Sequence, residues 1–338
     1  MLLTLIRRLV ALEARWIPRA RGCSLYIRPT LIGTRPSLGV SASRHAALYV
    51  ICSPTGPYIR AADADTGAGG ISLLAMSDQV RAWPGGTGGF KLGLNYAPGF
   101  VAQRAAAAMG YQQLLWLLGE TVAEAGAMNV FAVFERPDGG ACSPLPPPSP
   151  AHSHSLTHCP LSVFAALDIV TPPLDGTILP GVTRASVLSL LTHRPHTAAL
   201  PKLLLPQSLA LHTSERPLTM SELFAVSASG TLREVFCVGT AAVVIPAARI
   251  GWQRSSSSNT GGSTGGGGDA EAAGRAVAEA AVAVAEVQDI VLPVVGGEGS
   301  VAHALWERLV DIQEGRVEWE GWGVPCHCAV TDADTDDP

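Results

Sequence analysis

Lys91 opens the segment Lys91-Leu92-Gly93-Leu94-Asn95-Tyr96-Ala97-Pro98. A lysine followed by a glycine-bearing turn, a polar Asn, a Tyr and a helix-entry Pro is placed on a loop just before a helix. A partly buried lysine in such a place has a lowered pKa and can act as a nucleophile or a base. Two further segments could hold an anion. Gly181-Val182-Thr183 precedes a helical run, where free N–H groups and the positive helix end suit a phosphate, with Thr183 as N-cap. Gly239-Thr240-Ala241 forms a second turn of donors. Glu124 is followed by Gly126 and the apolar run Met128-Asn129-Val130-Phe131, which favours a buried carboxylate. Metal ligands are not expected. Cys326-His327-Cys328 has one residue between its cysteines, and His152, His154 and His158 sit on a Pro/Ser tether with nothing to orient them.

These residues need a scaffold, and the patterning supplies its elements. Leu114 to Leu118, Asn129 to Phe134 and the two runs around Gly239 within Arg233 to Pro246 read as strands. Ala46 to Ser53 reads as a buried strand. Helices are expected over the small residues from Val101 to Met109, over Arg184 to Thr192, and over Met220 to Val226. Another is expected over Val301 to Ile312, with Leu305, Leu309 and Ile312 on one face. Gly85-Gly86-Thr87-Gly88-Gly89 reads as a connector, since it lacks the Lys-Ser/Thr pair of a phosphate-binding P-loop. The expected organisation is a small α/β domain over 1–80, a connector over 81–90, a large domain over 91–325 and a tail over 326–338. Low-complexity insertions interrupt the large domain at 143–160 and 255–268.

The 338 residues are 47% hydrophobic and only 15% charged, so a sizeable core can form. The net charge of −5, without a basic stripe, argues against nucleic acid. No run of about 18 uninterrupted apolar residues exists, so no membrane span is expected. Seven scattered cysteines suit a reducing compartment. Met1 to Arg21 carries five arginines against one acid, Glu13, and could pass for a transit peptide. Its leucines lie at helical spacing, and the family resemblance of the blocks that follow in the chain implies instead a helix of the small domain leading into Ser24-Leu25-Tyr26.

Five blocks, in order, resemble the branched-chain amino acid aminotransferases, fold-type IV enzymes of the class IV pyridoxal-phosphate-dependent aminotransferase family. They are Ser24-Leu25-Tyr26-Ile27-Arg28-Pro29 running on to Val40, the Lys91 loop, Glu124 to Phe131, Thr171-Pro172-Pro173-Leu174-Asp175-Gly176 through Arg184, and Val235 to Ala242. The resemblance implies a two-domain α+β / α/β fold and covers most of the chain up to about Trp322. Within the family a further stretch of small domain precedes this point, supplying an arginine to the phosphate cup and an aromatic wall. The small domain is therefore expected to be incomplete here.

The same resemblance assigns roles. Lys91 holds pyridoxal 5′-phosphate as a Schiff base and moves the proton between substrate and cofactor. Glu124 meets the pyridine nitrogen and Tyr96 the ring hydroxyl. Val182, Thr183, Gly239 and Thr240 hold the phosphate, and the turn at Ala241 and Ala242 receives the substrate α-carboxylate. Tyr26, Val40 and Tyr58 line the side-chain pocket, and Arg28 meets the distal carboxylate of glutamate. Substrates are then leucine, isoleucine, valine, glutamate and their 2-oxo acids, in a soluble homodimer of mitochondrial, plastid or cytoplasmic location. Leu94 and Ala127 depart from the family's usual glycine and threonine, and Ala242 and Ile245 replace a redox cysteine pair. Two alternatives stay open: an inactive truncated paralogue or incomplete gene model, and a relative with D-amino acid or lyase activity, against which the Tyr26-x-Arg28 pair argues.

Overall fold

The structure is a computed structural model and describes residues 1–56, 70–136, 166–193, 205, 209–253 and 287–326. The chain divides into two compact units, Met1–Arg60 with Val310–Pro338, and Ala61–Leu309. The low-complexity stretches at 143–160 and 255–268 lie outside the described residues, as do Tyr58, Lys202 and the three histidines of the Pro/Ser tether.

In the first unit, α1 (Leu2–Leu12) is followed by one 3-10 turn and by the antiparallel pair β1 (Ser24–Gly33) and β2 (Ala46–Thr55). Tyr26 faces Ser53 in register and Arg28 faces Ile51. The strand expected at Ala46 to Ser53 is present but is not buried: Leu48, Tyr49 and Ile51 are exposed. Two strands alone do not build a covered face, so an apolar run here meets solvent rather than a core.

The second unit is organised by one large sheet. Its strands are β3 (Ile71–Met76), β4 (Gln113–Leu118), β5 (Thr121–Ala125), β6 (Met128–Glu135), β7 (Ala166–Thr171), β8 (Ala210–Glu215), β9 (Leu232–Gly239), β10 (Val243–Gln253) and β11 (Val287–Val291). Among the described residues they run in the order β11-β10-β3-β4-β5-β6-β7-β8, and β9 pairs with both β10 and β6. The path β10-β3-β4-β5-β6-β9 therefore returns to its start, giving a barrel-like closure that hides the inner strand edges. β3 is parallel to β4 and β10, and every one of its residues is buried. A parallel strand covered on both faces needs this kind of continuous apolar run. The span 1–80 expected for the small domain includes the residues of β3, for which no strand was expected. The ladder bonds of β3 place it in the large sheet instead.

The helices follow the periodicity closely. They are α2 (Gly99–Ala108), α3 (Val182–His193), α4 (Met220–Ala228) and α5 (Val301–Gln313). Thr219 caps α4 by accepting the Glu222 N–H, and the buried Glu234 carboxylate accepts the Val301 and Ala302 N–H groups at the start of α5. α2 is built from small residues because it lies close against the sheet. A Cβ at Gly99 would stand 2.8 Å from the Trp116 ring. Ala102, Ala106, Leu114, Trp116 and Ile178 form one buried cluster beneath it.

Phe131 and Phe236 face each other across β6 and β9, both fully buried, with ring centroids 5.1 Å apart. Phe131→Ala is expected to destabilise the chain by about 3–5 kcal/mol, from lost transfer energy and an unfilled cavity. Urea unfolding monitored by circular dichroism checks this.

Candidate active site

The site is built at the ends of β5, β6 and β9. Glu124 lies on β5 and is 2% exposed. Its Oε1 accepts the Leu179 N–H at 2.6 Å and lies 3.4 Å from Asn129 Nδ2, which also donates to the Leu179 carbonyl at 2.9 Å. Its Oε2 lies 2.8 Å from Arg81 Nε. Burial pushes the carboxyl up to about 7, against the lowering effects of Arg81, the Leu179 amide and Lys91. Glu124 was expected to be buried, and it is. Arg81, which holds it, was not singled out from the sequence. The available signal was a charged residue between Val80 and Trp83, just before the glycine-rich run.

Lys91 sits within electrostatic reach of Glu124 and 5.8 Å from the centre of the Tyr96 ring. Its loop is pinned by Asn95, whose Nδ2 donates to the Thr87 and Phe90 carbonyls at 2.9 and 2.8 Å. Asn95 is buried, whereas Lys91 is exposed, contrary to the partly buried position expected. Tyr96 is half-buried.

The Gly181-Val182-Thr183 segment does begin a helix, with one correction. α3 starts at Val182, and the Gly181 carbonyl accepts the Ala185 N–H, so Gly181 takes the N-cap place and Thr183 lies inside the first turn. A side chain at Gly181 would collide with Asn129 Oδ1, which explains a glycine there. The amides of Val182, Thr183 and Arg184 precede the first helical bond and have no partner within the helix. Val182 is 80% exposed, so this end opens to solvent.

Gly239, Thr240, Ala241 and Ala242 form the turn between β9 and β10. A Cβ at Gly239 would lie 3.3 Å from Met128 Cγ, so this turn rests against the β5–β6 turn that follows Glu124. Val243 closes the turn at φ 57°. A β-branched residue there is strained, and such outliers gather at functional turns. Ala242 is buried while Thr240 and Ala241 are exposed.

The second unit thus brings together Lys91, Tyr96, Glu124, the first turn of α3 and the Gly239 turn. Tyr26 and Arg28 belong to the first unit, where the guanidinium stacks 5.2 Å over the Tyr26 ring. Val40, expected to line a pocket, is fully exposed in the loop between β1 and β2 because no described element covers that loop. Among the described residues no group of three His, Cys, Asp or Glu could hold a metal ion, and no helix is long and apolar enough to cross a membrane.

Residues 4–250 match the family described as amino-transferase class IV. The chain belongs to that family. This class IV aminotransferase chain is 42% identical over 254 residues to the cytosolic branched-chain-amino-acid aminotransferase of Saccharomyces cerevisiae, covering 75% of the chain and 57% of the relative. It is 41% identical over 251 residues to the mitochondrial branched-chain-amino-acid aminotransferase of Schizosaccharomyces pombe, covering 74% and 49%. Against the mitochondrial form of Saccharomyces cerevisiae it is 36% identical over 325 residues, covering 95% and 64%. The chain therefore spans between 49% and 64% of the length of these relatives. The solved branched-chain amino acid aminotransferase of Escherichia coli superposes with a TM-score of 0.46 at 20% identity, over 72% of this chain and 69% of that one. The α+β class expected from the sequence is the class observed, and family membership makes it a fold-type IV chain.

Class IV aminotransferases use pyridoxal phosphate, and the donor set of the second unit fits that group. It offers a lysine amine, a buried carboxylate, a tyrosine, helix-start amides for an anion, and a buried Arg81 Nη2 with no hydrogen-bond partner.

The raised Glu124 carboxyl makes stability depend on pH. A folded value of about 7 against 4.5 in the unfolded chain gives stability that is full below 4.5 and lost as pH rises through about 7. In cofactor-free protein, raising the pH from about 5 to about 8 is expected to cost the parent about 2 to 3 kcal/mol more than Glu124→Gln. Urea titrations of both proteins across that range check it.

Proposed function

We propose that this chain transfers the amino group of leucine, isoleucine or valine to 2-oxoglutarate, with pyridoxal phosphate held covalently at Lys91. The observation that carries the reading is a buried carboxylate, Glu124, fixed beside a loop lysine and tied through Leu179 to the segment that opens α3. The similarity to branched-chain-amino-acid aminotransferases supports the choice of substrate.

Pyridoxal phosphate, when bound, supplies a conjugated ring that accepts the electron pair left at the substrate Cα. Lys91 would anchor the cofactor, and its freed amine would serve as the base that moves the proton at the substrate Cα. Glu124 meets the pyridine nitrogen and keeps it protonated. Tyr96 bonds the ring hydroxyl. Val182 and Thr183 hold the phosphate on the first turn of α3, with Gly239 and Thr240 as further donors. The Ala241 and Ala242 backbone receives the substrate α-carboxylate. Trp83, Phe90, Leu94 and Phe100 are exposed apolar side chains flanking the lysine loop. They support a homodimer in which a second copy covers them, and sedimentation as a dimer is the expected result.

Purified protein is expected to show the visible absorption of lysine-bound cofactor, and L-leucine to convert to its 2-oxo acid with formation of glutamate. Borohydride reduction followed by peptide mapping should label Lys91, and Lys91→Ala should abolish the label. A label on Lys202 would sink the assignment. Glu124→Gln should retain cofactor but slow the half-reaction with leucine by several orders of magnitude, because the ring loses its protonated nitrogen. A rate within about threefold of the parent would remove Glu124 from this role.

A further inference from the structure

Three parts of the site meet at one guanidinium. Arg81 lies between β3 and the lysine loop, with its side chain 3% exposed. Its Nε stands 2.8 Å from Glu124 Oε2. Its Nη1 donates to two carbonyls, Gly88 at 3.2 Å and Thr177 at 2.6 Å. Gly88 opens the turn into Lys91, and Thr177 belongs to the stretch leading into α3. These two backbones run so close that a Cβ at Gly88 would lie 2.6 Å from the Gly176 and Thr177 carbonyl oxygens. The Gly88 and Thr177 carbonyls, one from each backbone, are joined through this single cationic donor. The remaining nitrogen, Nη2, is buried without a hydrogen-bond partner.

We propose that Arg81 is the positioning residue of this site: it favours the anionic form of the Glu124 carboxylate, aims it, and locks it to the lysine loop and to the segment opening α3. The inference rests on the reading that Glu124 meets the cofactor ring. The groups facing Glu124 are Arg81 and Lys91 as cations, with the Leu179 and Asn129 amides as neutral donors. Burial alone would drive the carboxyl to its neutral form. Amides cannot supply a charge. Lys91 is exposed, and its influence on the carboxyl is smaller than that of Arg81. The planar fork of Arg81 serves the carboxylate and both carbonyls at once. A lysine at position 81 would keep the charge and lose the fork.

The test uses the full chain and reads two quantities on the parent, Arg81→Gln and Arg81→Lys. The first is the titration of the Glu124 carboxyl in cofactor-free protein, followed by its infrared carbonyl band and assigned by loss of that band in Glu124→Gln. The second is the affinity for pyridoxal phosphate, followed by quenching of tryptophan fluorescence. Arg81→Gln should move the titration upward by about one to three pH units. Arg81→Lys should titrate close to the parent yet bind the cofactor about tenfold more weakly or worse. An Arg81→Gln midpoint equal to the parent's would overturn the charge role, and parent-like affinity in Arg81→Lys would overturn the locking role. If Arg81→Gln does not fold, the lysine variant decides: parent-like titration with weakened affinity supports the proposal, and a shifted titration or parent-like affinity overturns it. A parent that binds no pyridoxal phosphate would defeat the proposed function, while the titration would still judge the role of Arg81 toward Glu124.

Discussion

The ion pair between Arg81 and Glu124, 2.8 Å long and almost wholly removed from water, is the contact on which the site depends. A carboxylate in that position is unfavourable unless every lone pair has a donor. The fold meets that demand from separate segments. Arg81 comes from the stretch after β3, the Leu179 amide from the stretch before α3, and Asn129 from β6. Each donor fixes its own backbone as it satisfies the acid. The segments that carry the lysine and the helix start are thereby placed by the electrostatics of one buried group.

The sheet makes this convergence possible. Because β9 pairs with both β6 and β10, the strands close on themselves, and the ends of β5, β6 and β9 are brought side by side. Glu124 leaves one strand end and the Gly239 turn leaves another. The stacked Phe131 and Phe236 lie in the same ladder a few residues away. A rigid, dry ladder holds the turns at its ends in fixed positions, while the turns themselves stay open to solvent at Thr240 and Val182. Small residues do the rest: Gly88, Gly99 and Gly181 each mark a place where two segments approach more closely than a side chain would allow.

Most of the elements were legible in the residues. β4, β6, β9, β10 and helices α2 to α5 lie where apolar spacing and turn residues put them. Glu124 was legible as buried because an apolar run follows it. Three features were misjudged for identifiable reasons. Lys91 is exposed, and the Asn95 bonds that hold its loop are contacts between loop residues that leave no periodic trace. Thr183 lies within the first turn of α3 because Gly181, which has room beside Asn129, takes the cap position. β2 is apolar yet exposed, because burial depends on what covers a strand and not on its composition.

What the sequence determined by itself was local and chemical: the lysine loop, the acid before an apolar strand, the glycine turns, and the ordered blocks that resemble class IV aminotransferases. Such information resides in residue types a few positions apart, where propensity, capping and turn chemistry act. What only the tertiary structure decided was partnership. Arg81 and Glu124 are far apart in the chain, as are Gly88 and Thr177, and nothing in either neighbourhood names the other. Their pairing follows from the closure of the sheet, because burying a charge forces the fold to bring its counter-charge from wherever in the chain it lies.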